Sequence, residues 1–283
     1  MVRRRLFDEC AALLEKAGNE DAQFDVMCIF EDVLGQRHPL FSPQTEVPAG
    51  SEETIRSLVK RRSEGYPLQY LLGKWEFFGY PFAVGEGVLI PRPDTETVVE
   101  LVLDICKERG LSSPKIADLC SGSGCIAVTL KKQLPQAGVW AFELSEKAMG
   151  FLRENIRLNS AEVEAVLMDV TDSGKAALYR DFDIIVSNPP YLTAAEMAGL
   201  QKEVAYEPEM ALFGGDDGLE MYRQITRIWR DSLREGGWLC YEFGDEQHED
   251  VGKILAGNGF ENIRYRRDLG GIVRAACAEK TGG

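Results

Sequence analysis

An amide, two prolines and an aromatic ring follow an apolar run of the sequence, as Asn188-Pro189-Pro190-Tyr191, here called the acceptor loop. The nitrogen of a planar amide or aryl amine is a poor nucleophile, because its lone pair is delocalised. The side-chain oxygen of Asn188 and a proline carbonyl could each accept one of its two protons, since proline lacks only the N–H. Tyr191 could cover the planar group by stacking. The loop therefore predicts transfer of a group to such a nitrogen, with catalysis by orientation and electrostatics and with Asn188 and Pro189 as the catalytic residues.

A glycine-containing segment lies earlier in the chain, between an apolar run and a helical run. It reads Cys120-Ser121-Gly122-Ser123-Gly124 and is here called the glycine loop. Glycines let the backbone approach a ligand closely, and the first turn of the following helix has unpaired N–H groups. Because such a turn also serves close packing, it is weak evidence for a ligand when taken alone. We predict that these five residues bind a cofactor.

Acidic residues end the next two predicted strands. Glu143 lies where a carboxylate can accept hydrogen bonds from both hydroxyls of a ribose. Asp169 could accept a bond from an adenine amino group, and Val170 could cover the ring. A nucleoside is therefore predicted at this edge of the sheet, with its reactive end against Asn188. An adenosyl sulfonium that donates a methyl group, S-adenosylmethionine, fits both requirements.

Apolar strands alternate with helical stretches through most of the chain. Such alternation predicts an α/β fold with a mostly parallel, Rossmann-like sheet and helices on both faces. The predicted parallel strands are 115–119, 138–143, 164–168, 183–187 and 238–243. Two final strands, 260–266 and 272–278, are separated by a glycine-containing turn and should pair antiparallel at the end of the sheet.

The first seventy residues predict a small helical bundle. The first helix should stop near Gly18, and Ser51 should cap the third. For the second helix, helical spacing indicates a packed stripe made of Phe24, Met27, Cys28 and Leu34. Aromatic and β-branched residues with three glycines then predict a hairpin. The domains are predicted as a helical substrate-recognition domain at 1–73, a hairpin linker at 74–90 and a catalytic domain at 91–283.

Composition and charge exclude several classes of function. The 283 residues carry 32 basic and 46 acidic side chains, for a formal net charge of -14. This charge repels a phosphate backbone, so no nucleic acid partner is expected. Seven scattered cysteines without a CxxC pair predict reducing cytosol, and two distant histidines predict no metal site. No apolar stretch is long enough to span a bilayer, so we expect a cytoplasmic protein without a membrane partner.

The chain resembles the HemK-type (PrmC) family of release factor glutamine N5-methyltransferases over nearly its whole length. The matching segments are 67–70, 75–79, 89–96, the glycine loop, the acceptor loop, 207–219 and 242–244. The resemblance implies a class I S-adenosylmethionine-dependent methyltransferase domain that presents Asn188 and Pro189 to a glutamine amide. That glutamine is the one in the GGQ motif of class I peptide chain release factors. The implied N-terminal bundle recognises the protein substrate, and the cofactor product is S-adenosylhomocysteine.

Three residues depart from the family pattern, and other functions also fit parts of the sequence. Cys120 replaces the first glycine of the family, while Ser121 and Glu143 replace the usual Thr and Asp. An N6-adenine or N4-cytosine nucleic-acid methyltransferase would use a similar acceptor loop, although the acidic charge argues against it. A nicotinamide oxidoreductase would leave that loop unexplained. A noncatalytic adapter would need neither loop.

Overall fold

The computed structural model describes residues 1–282 and divides the chain into two compact units. The first unit contains Met1–Lys74 together with Gln201–Tyr206. The second contains Trp75–Leu200 and the chain from Glu207 onward. The chain therefore returns to the first unit for six residues before it completes the second. None of the helices within 1–282 has the length and apolar composition that a bilayer span requires.

Four helices make up most of the first unit, which confirms the predicted helical bundle and adds one short helix to the three predicted. They are α1 (Arg3–Lys16), α2 (Ala22–Leu34), α3 (Ala49–Ser63) and α4 (Leu68–Leu72). Gly18, just after α1, has a φ of 86°, a left-handed conformation that glycine adopts without strain and that ends the helix. α3 begins at Ala49 and not after Ser51, so the predicted cap is wrong. Its first turn is closed by the Glu52 N–H, which donates to the Pro48 carbonyl at 2.9 Å.

The predicted packing stripe of α2 is also wrong. Phe24 is 57% exposed, whereas the buried residues are Ala22, Asp25, Val26, Ile29 and Phe30. The helix carries apolar residues on two faces, so spacing alone does not decide which face packs. The packed face contains Val26, Ile29 and Phe30 and also one member of a charged pair. The Asp25 carboxylate accepts a bond from Arg62 Nε at 2.6 Å, and both side chains are buried.

The returning segment completes this charged cluster. Arg62 Nη2 contacts Glu203 Oε1 at 2.7 Å, so one buried guanidinium joins α2, α3 and the segment Gln201–Tyr206. The ring of Tyr206 also packs edge-on against Tyr66, with centroids 5.0 Å apart. Buried charges are tolerated when they are paired and hydrogen-bonded. The six residues are therefore an integral part of the helical unit.

The second unit is built on a seven-stranded sheet, and a two-stranded hairpin precedes it. The hairpin consists of β1 (Lys74–Phe77) and β2 (Tyr80–Ala83). The sheet strands are β3 (Lys115–Leu119), β4 (Gly138–Glu143), β5 (Val163–Leu167), β6 (Phe182–Ser187), β7 (Leu233–Glu242), β8 (Phe260–Arg267) and β9 (Val273–Lys280). Their order is β5-β4-β3-β6-β7-β9-β8. Only β9 pairs antiparallel, with β7 and with β8, so the predicted α/β fold and its C-terminal hairpin are confirmed.

Helices cover both faces of this sheet. They are α5 (Glu96–Glu108), α6 (Cys125–Gln133), α7 (Glu146–Leu158), α8 (Ser173–Ala176), α10 (Glu220–Trp229) and α11 (His248–Gly257), whereas α9 (Ala194–Ala198) follows β6 and has no buried residue. Neighbouring strand residues belong to different apolar clusters, Ile116 and Ile184 to one and Ala117 and Ile185 to the other. Because successive side chains of a strand point to opposite faces, each face has its own core. This double packing fixes the carboxyl ends of β3, β4 and β6.

Candidate active site

A cavity of about 450 Å³ opens at the carboxyl ends of β3, β4 and β6. This volume falls within the ~300–1,000 Å³ of small-molecule sites, and the sheet edge is where α/β proteins bind ligands. Nine predicted site residues line it: Cys120, Ser121, Gly122, Ser123, Glu143, Asp169, Val170, Asn188 and Pro190. Three others, Gly124, Pro189 and Tyr191, are not among its lining residues.

The two glycines of the glycine loop have different tasks. Both have positive φ, 55° at Gly122 and 78° at Gly124. A Cβ on Gly122 would meet nothing within 4 Å, whereas one on Gly124 would lie 2.3 Å from Leu152 Cδ1. Gly124 therefore lets α6 begin against α7, and Gly122 leaves backbone exposed to the cavity. The loop is shaped for a ligand at its first glycine and for packing at its second.

Cys120 occupies a conformation that suits glycine. Its φ is 61°, in the left-handed region that costs other residues about 1–2 kcal/mol. Burial raises the pKa of its thiol far above the ordinary value, so the thiol stays protonated. Cys120 also packs partly against one apolar cluster of the sheet. This contact offsets part of the backbone strain.

We expect Cys120→Gly to change the free energy of unfolding by no more than about 1 kcal/mol, because relief of strain offsets lost packing and the flexibility of glycine. Cys120→Val should destabilise the protein by ~2 kcal/mol or more, because a β-branched side chain is strained further at positive φ. Denaturant unfolding measures both. Cys106→Val, in the buried face of α5, is the control with ordinary backbone. Equal losses for the two valine variants would contradict the strain at Cys120.

Glu143 connects β4 to the glycine loop. Its Oε2 accepts from the Gly122 N–H at 2.8 Å, and its Oε1 accepts from the Ser145 N–H at 2.7 Å. Each carboxylate oxygen has a second lone pair, so both can still accept a hydroxyl. The side chain is 8% exposed and lines the cavity. Glu143 therefore shapes the loop and presents acceptors to a ligand at the same time.

We expect Glu143→Ala to weaken S-adenosylmethionine binding by about 1–3 kcal/mol, because hydroxyl donors of the ligand and the Gly122 N–H lose their acceptor. Glu143→Asp should weaken binding less, since a carboxylate remains. Titration calorimetry measures the affinity. Glu146→Ala, in the exposed first turn of α7, is the matched control and should bind normally. Unchanged affinity in Glu143→Ala would remove Glu143 from the site.

Asp169 and Val170 form the opposite side of the cavity. Asp169 Oδ1 accepts from the backbone N–H of Thr171 at 2.8 Å and from its hydroxyl at 2.6 Å. These bonds hold the carboxylate in one orientation. Val170 is buried, and its carbonyl accepts a bond from the Trp229 indole at 2.8 Å. Strand β5 ends at Leu167, so Asp169 lies in the turn after the strand and not in its last position.

The acceptor loop follows β6 and is held from several sides. Asn188 Nδ2 donates to Thr95 Oγ1 at 3.4 Å. Tyr191 has its carbonyl bonded by Gln247 Nε2 at 3.1 Å, and its ring lies 3.1 Å from where a Cβ would stand on Gly244. A Cβ on Gly214 would lie 2.6 Å from the Pro190 carbonyl oxygen. The ring of Tyr191 thus packs against Gly244 and one apolar cluster of the sheet, and it does not line the cavity.

Sequence reasoning missed two buried carboxyls near the cavity. Burial raises the pKa of Asp118 to about 7, and its Oδ2 accepts from the Ala127 N–H at 3.1 Å. Burial likewise raises the pKa of Glu242 to about 7. The segment 87–92 and residues Thr95, Met210 and Phe213 also line the cavity. Nothing in their local spacing shows this, because they come together only through the sheet.

These features together fit an adenosyl ligand. Acceptors for ribose hydroxyls and an apolar cover lie on the cavity wall, and Gly122 leaves backbone exposed there. The side chain of Asn188 reaches the same cavity. No group of three or more His, Cys, Asp or Glu residues within the described chain could hold a metal ion.

Comparison with known proteins relates both parts of the chain to methyltransferases. Residues 5–73 match the family model described as the PrmC N-terminal domain, and residues 94–207 match the methyltransferase small domain. A release factor glutamine methyltransferase of Fusobacterium nucleatum is 37% identical over 97% of this chain and 78% of its own. One of Geobacter sulfurreducens is 38% identical over 96% of this chain and 94% of its own.

Solved structures show the same fold at lower identity. The hMettl16 catalytic domain, in complex with the MAT2A 3'UTR hairpin 6, matches 83% of each chain with a TM-score of 0.56 and 15% identity. A methyltransferase from Pyrococcus furiosus matches 73% of this chain and 91% of its own, with a TM-score of 0.51 and 16% identity. These likenesses concern the fold.

Proposed function

This chain belongs to the family of release factor glutamine methyltransferases, and from that membership we propose that it methylates the side-chain amide nitrogen of the glutamine in the GGQ motif of class I peptide chain release factors. The resemblance seen in the sequence is thereby confirmed as to family. The observation that carries the proposed chemistry is the position of Asn188, whose carboxamide stands in the wall of a cavity suited to an adenosyl ligand.

The cofactor residues in this proposal are the glycine loop, Glu143, Asp169, Val170 and Asn188. When bound, S-adenosylmethionine supplies a methyl group on a positively charged sulfur and is released as S-adenosylhomocysteine. Gly122 leaves backbone open to the ligand, and Glu143 would accept hydrogen bonds from the ribose hydroxyls. Asp169, which lines the cavity, would accept a hydrogen bond from the adenine amino group, and Val170 would cover the adenine ring. Asn188 lines the same cavity, on the side that the methyl-bearing end of the cofactor would face.

The substrate amide is held by acceptors on the protein. Asn188 Oδ1 accepts a hydrogen bond from one N–H of the substrate amide, and the Pro189 carbonyl accepts a hydrogen bond from the other. Bonds to both protons favour a pyramidal nitrogen, whose lone pair then points at the incoming methyl group. One proton leaves to solvent as the new N–C bond forms, so no base is needed before transfer. In support, the backbone that follows Pro189 is held in place: Gln247 Nε2 donates to the Tyr191 carbonyl, and Gly214 lies against the Pro190 carbonyl.

Recognition of the release factor is assigned to residues 1–73, with 74–90 as the hairpin linker and 91–283 as the methyltransferase domain. In support, the exposed side chains of this part include Phe24 and Phe41, at 57% and 84% exposure. Pro190 and Tyr191 are also assigned to substrate binding, with Pro190 in the cavity wall and the Tyr191 ring packed against Gly244. Because release factors act on ribosomes, the enzyme should work in the cytoplasm.

Labelled S-adenosylmethionine tests the proposal directly. The enzyme is incubated with it and with either a class I release factor or DNA, and the methyl group is located by mass spectrometry. We expect one methyl group on the glutamine of the GGQ motif and none on DNA, since the net charge of -14 repels phosphates. A methylated adenine or cytosine with an unmodified release factor would show that the acceptor is a nucleic acid base.

A further inference from the structure

Two buried side chains stand behind the Asn188 carboxamide. Thr95 and Glu242 are each only 2% exposed. Asn188 Nδ2 donates to the Thr95 hydroxyl oxygen at 3.4 Å. The Thr95 hydroxyl lowers the pKa of the Glu242 carboxyl against the larger effect of burial, which is the effect of a hydrogen-bond donor on a carboxylate. The other carboxyl oxygen, Glu242 Oε2, is buried without a hydrogen-bond partner. Of the two residues, only Thr95 lines the cavity.

The direction of these bonds decides which end of Asn188 faces the substrate. A carboxamide has similar shape in two orientations that differ by a 180° flip, and only one presents oxygen to the substrate. The flipped form would present NH2 to the NH2 of a glutamine, donor against donor. A hydroxyl by itself does not select one of these two orientations, because it can both donate and accept a hydrogen bond. When the Thr95 proton is committed to Glu242, only lone pairs remain for Asn188.

We propose that Thr95 and Glu242 are positioning residues that orient the Asn188 carboxamide, so that its Nδ2 faces Thr95 and its Oδ1 faces the substrate amide. This inference rests on the proposed function, in which Oδ1 is an acceptor for the glutamine. Glu242 does not line the cavity, so it acts through Thr95. The two residues come from distant parts of the chain, one just before α5 and one at the end of β7.

The environment of Glu242 indicates that stability alone does not explain it. A buried carboxyl with an unpartnered oxygen destabilises a fold, and removing such groups is often neutral or favourable. The cationic groups Arg274 and Arg92 favour its charged form, whereas Asp94 and above all burial oppose it. Isosteric replacement by glutamine removes the charge penalty. It also brings an NH2 that can donate to Thr95 and turn the Thr95 proton towards Asn188.

Three variants of the full-length enzyme test the inference. Thr95→Val keeps the shape and removes the hydroxyl, Thr95→Ser keeps the hydroxyl, and Glu242→Gln keeps the shape and removes the fixed acceptor. Thr129→Val in α6 is the matched control, because the Thr129 hydroxyl is buried without a partner away from the cavity. For each variant, kcat and KM with a release factor, the Kd of S-adenosylmethionine and the melting temperature are measured.

We expect Thr95→Val and Glu242→Gln to lower kcat on the order of 10-fold to 100-fold, the effect of a misdirected catalytic group, with little change in KM or cofactor Kd. Thr95→Ser should retain most of the kcat, and Thr129→Val should match the parent. At pH 8, above the pKa of about 7 at which the buried Glu242 carboxyl ionises, the melting temperature of Glu242→Gln should be equal to or above that of the parent, because the unpartnered charge is gone.

Other outcomes overturn the inference. Full kcat in Thr95→Val, or a Glu242→Gln variant that loses activity only in proportion to its folded fraction, would show that the pair has a merely structural role. Asn188→Ala in the same assay separates this inference from the proposed function. If Asn188→Ala is inactive while Thr95→Val is active, only the positioning role fails. If Asn188→Ala is itself fully active, the proposed chemistry fails.

Discussion

Asn188→Ala is expected to lower turnover by on the order of 10²-fold or more, far more than it lowers the affinity for S-adenosylmethionine. The variant deletes the side-chain oxygen that accepts one proton of the substrate amide. That bond strengthens as the nitrogen becomes pyramidal, so its loss is felt in the transition state more than in the ground state. Single-turnover rates and titration calorimetry separate the two effects.

Asn188→Asp is the finer test of the same side chain. A carboxylate still accepts the substrate proton, but it cannot donate to Thr95 as Asn188 Nδ2 does. It also adds a negative charge beside the cofactor. We therefore expect activity above that of the alanine variant and below that of the parent.

Melting temperatures measured in parallel distinguish catalysis from folding. A structural role for Asn188 predicts that both variants melt earlier and that activity follows the folded fraction. A normally folded and fully active alanine variant would rule out the proposed acceptor.

Deletion of residues 1–73 should abolish methyl transfer to an intact release factor and preserve cofactor binding. Both apolar clusters of the sheet lie between Phe77 and Ala278, outside the deleted part. All the residues that line the cofactor cavity, from Gly87 onward, are also retained. The remaining domain should therefore fold around its own core, whereas the surface assigned to substrate recognition is lost.

The deletion needs one precaution. The segment Gln201–Tyr206 packs with the deleted helices, and Glu203 would lose its partner Arg62. Glu203→Gln combined with the deletion removes this unpaired charge, and calorimetry with S-adenosylmethionine confirms that the truncated domain is folded. If that domain methylates the intact factor at the full rate, recognition does not depend on residues 1–73.

Local sequence was sufficient for the sheet. The predicted bounds of β3 and β4 match the structure, because each strand is an apolar run ended by a polar residue or a turn. β7 starts at Leu233, five residues earlier than predicted, since Gly236 and Gly237 look like a turn but lie within the strand. The residues at strand ends converge on one cavity because parallel strands share an edge.

Long-range contacts account for what the sequence could not predict. On α2, Val26, Ile29 and Phe30 are packed and Phe24 is exposed, and Asp25 is tolerated on the packed face because Arg62 from α3 pairs with it. The spacing of residues within α2 does not show that Arg62 of another helix will pair with Asp25. Thr95 and Glu242 lie in segments that match the family, but nothing in either segment shows that the two residues meet, and they come together only where the folded sheet brings them behind Asn188.

The return of the chain at Gln201–Tyr206 has a consequence for synthesis. Arg62 and Asp25 are available to each other as soon as the first helices leave the ribosome, but Glu203 emerges about 140 residues later. At ~5–20 residues per second this interval lasts roughly 7–30 s. During that time the nascent helical bundle contains one of the two carboxylates that contact its buried guanidinium. The helical bundle is therefore completed only after four of the seven sheet strands, β3 to β6, have been translated, when a segment from the second half of the chain arrives.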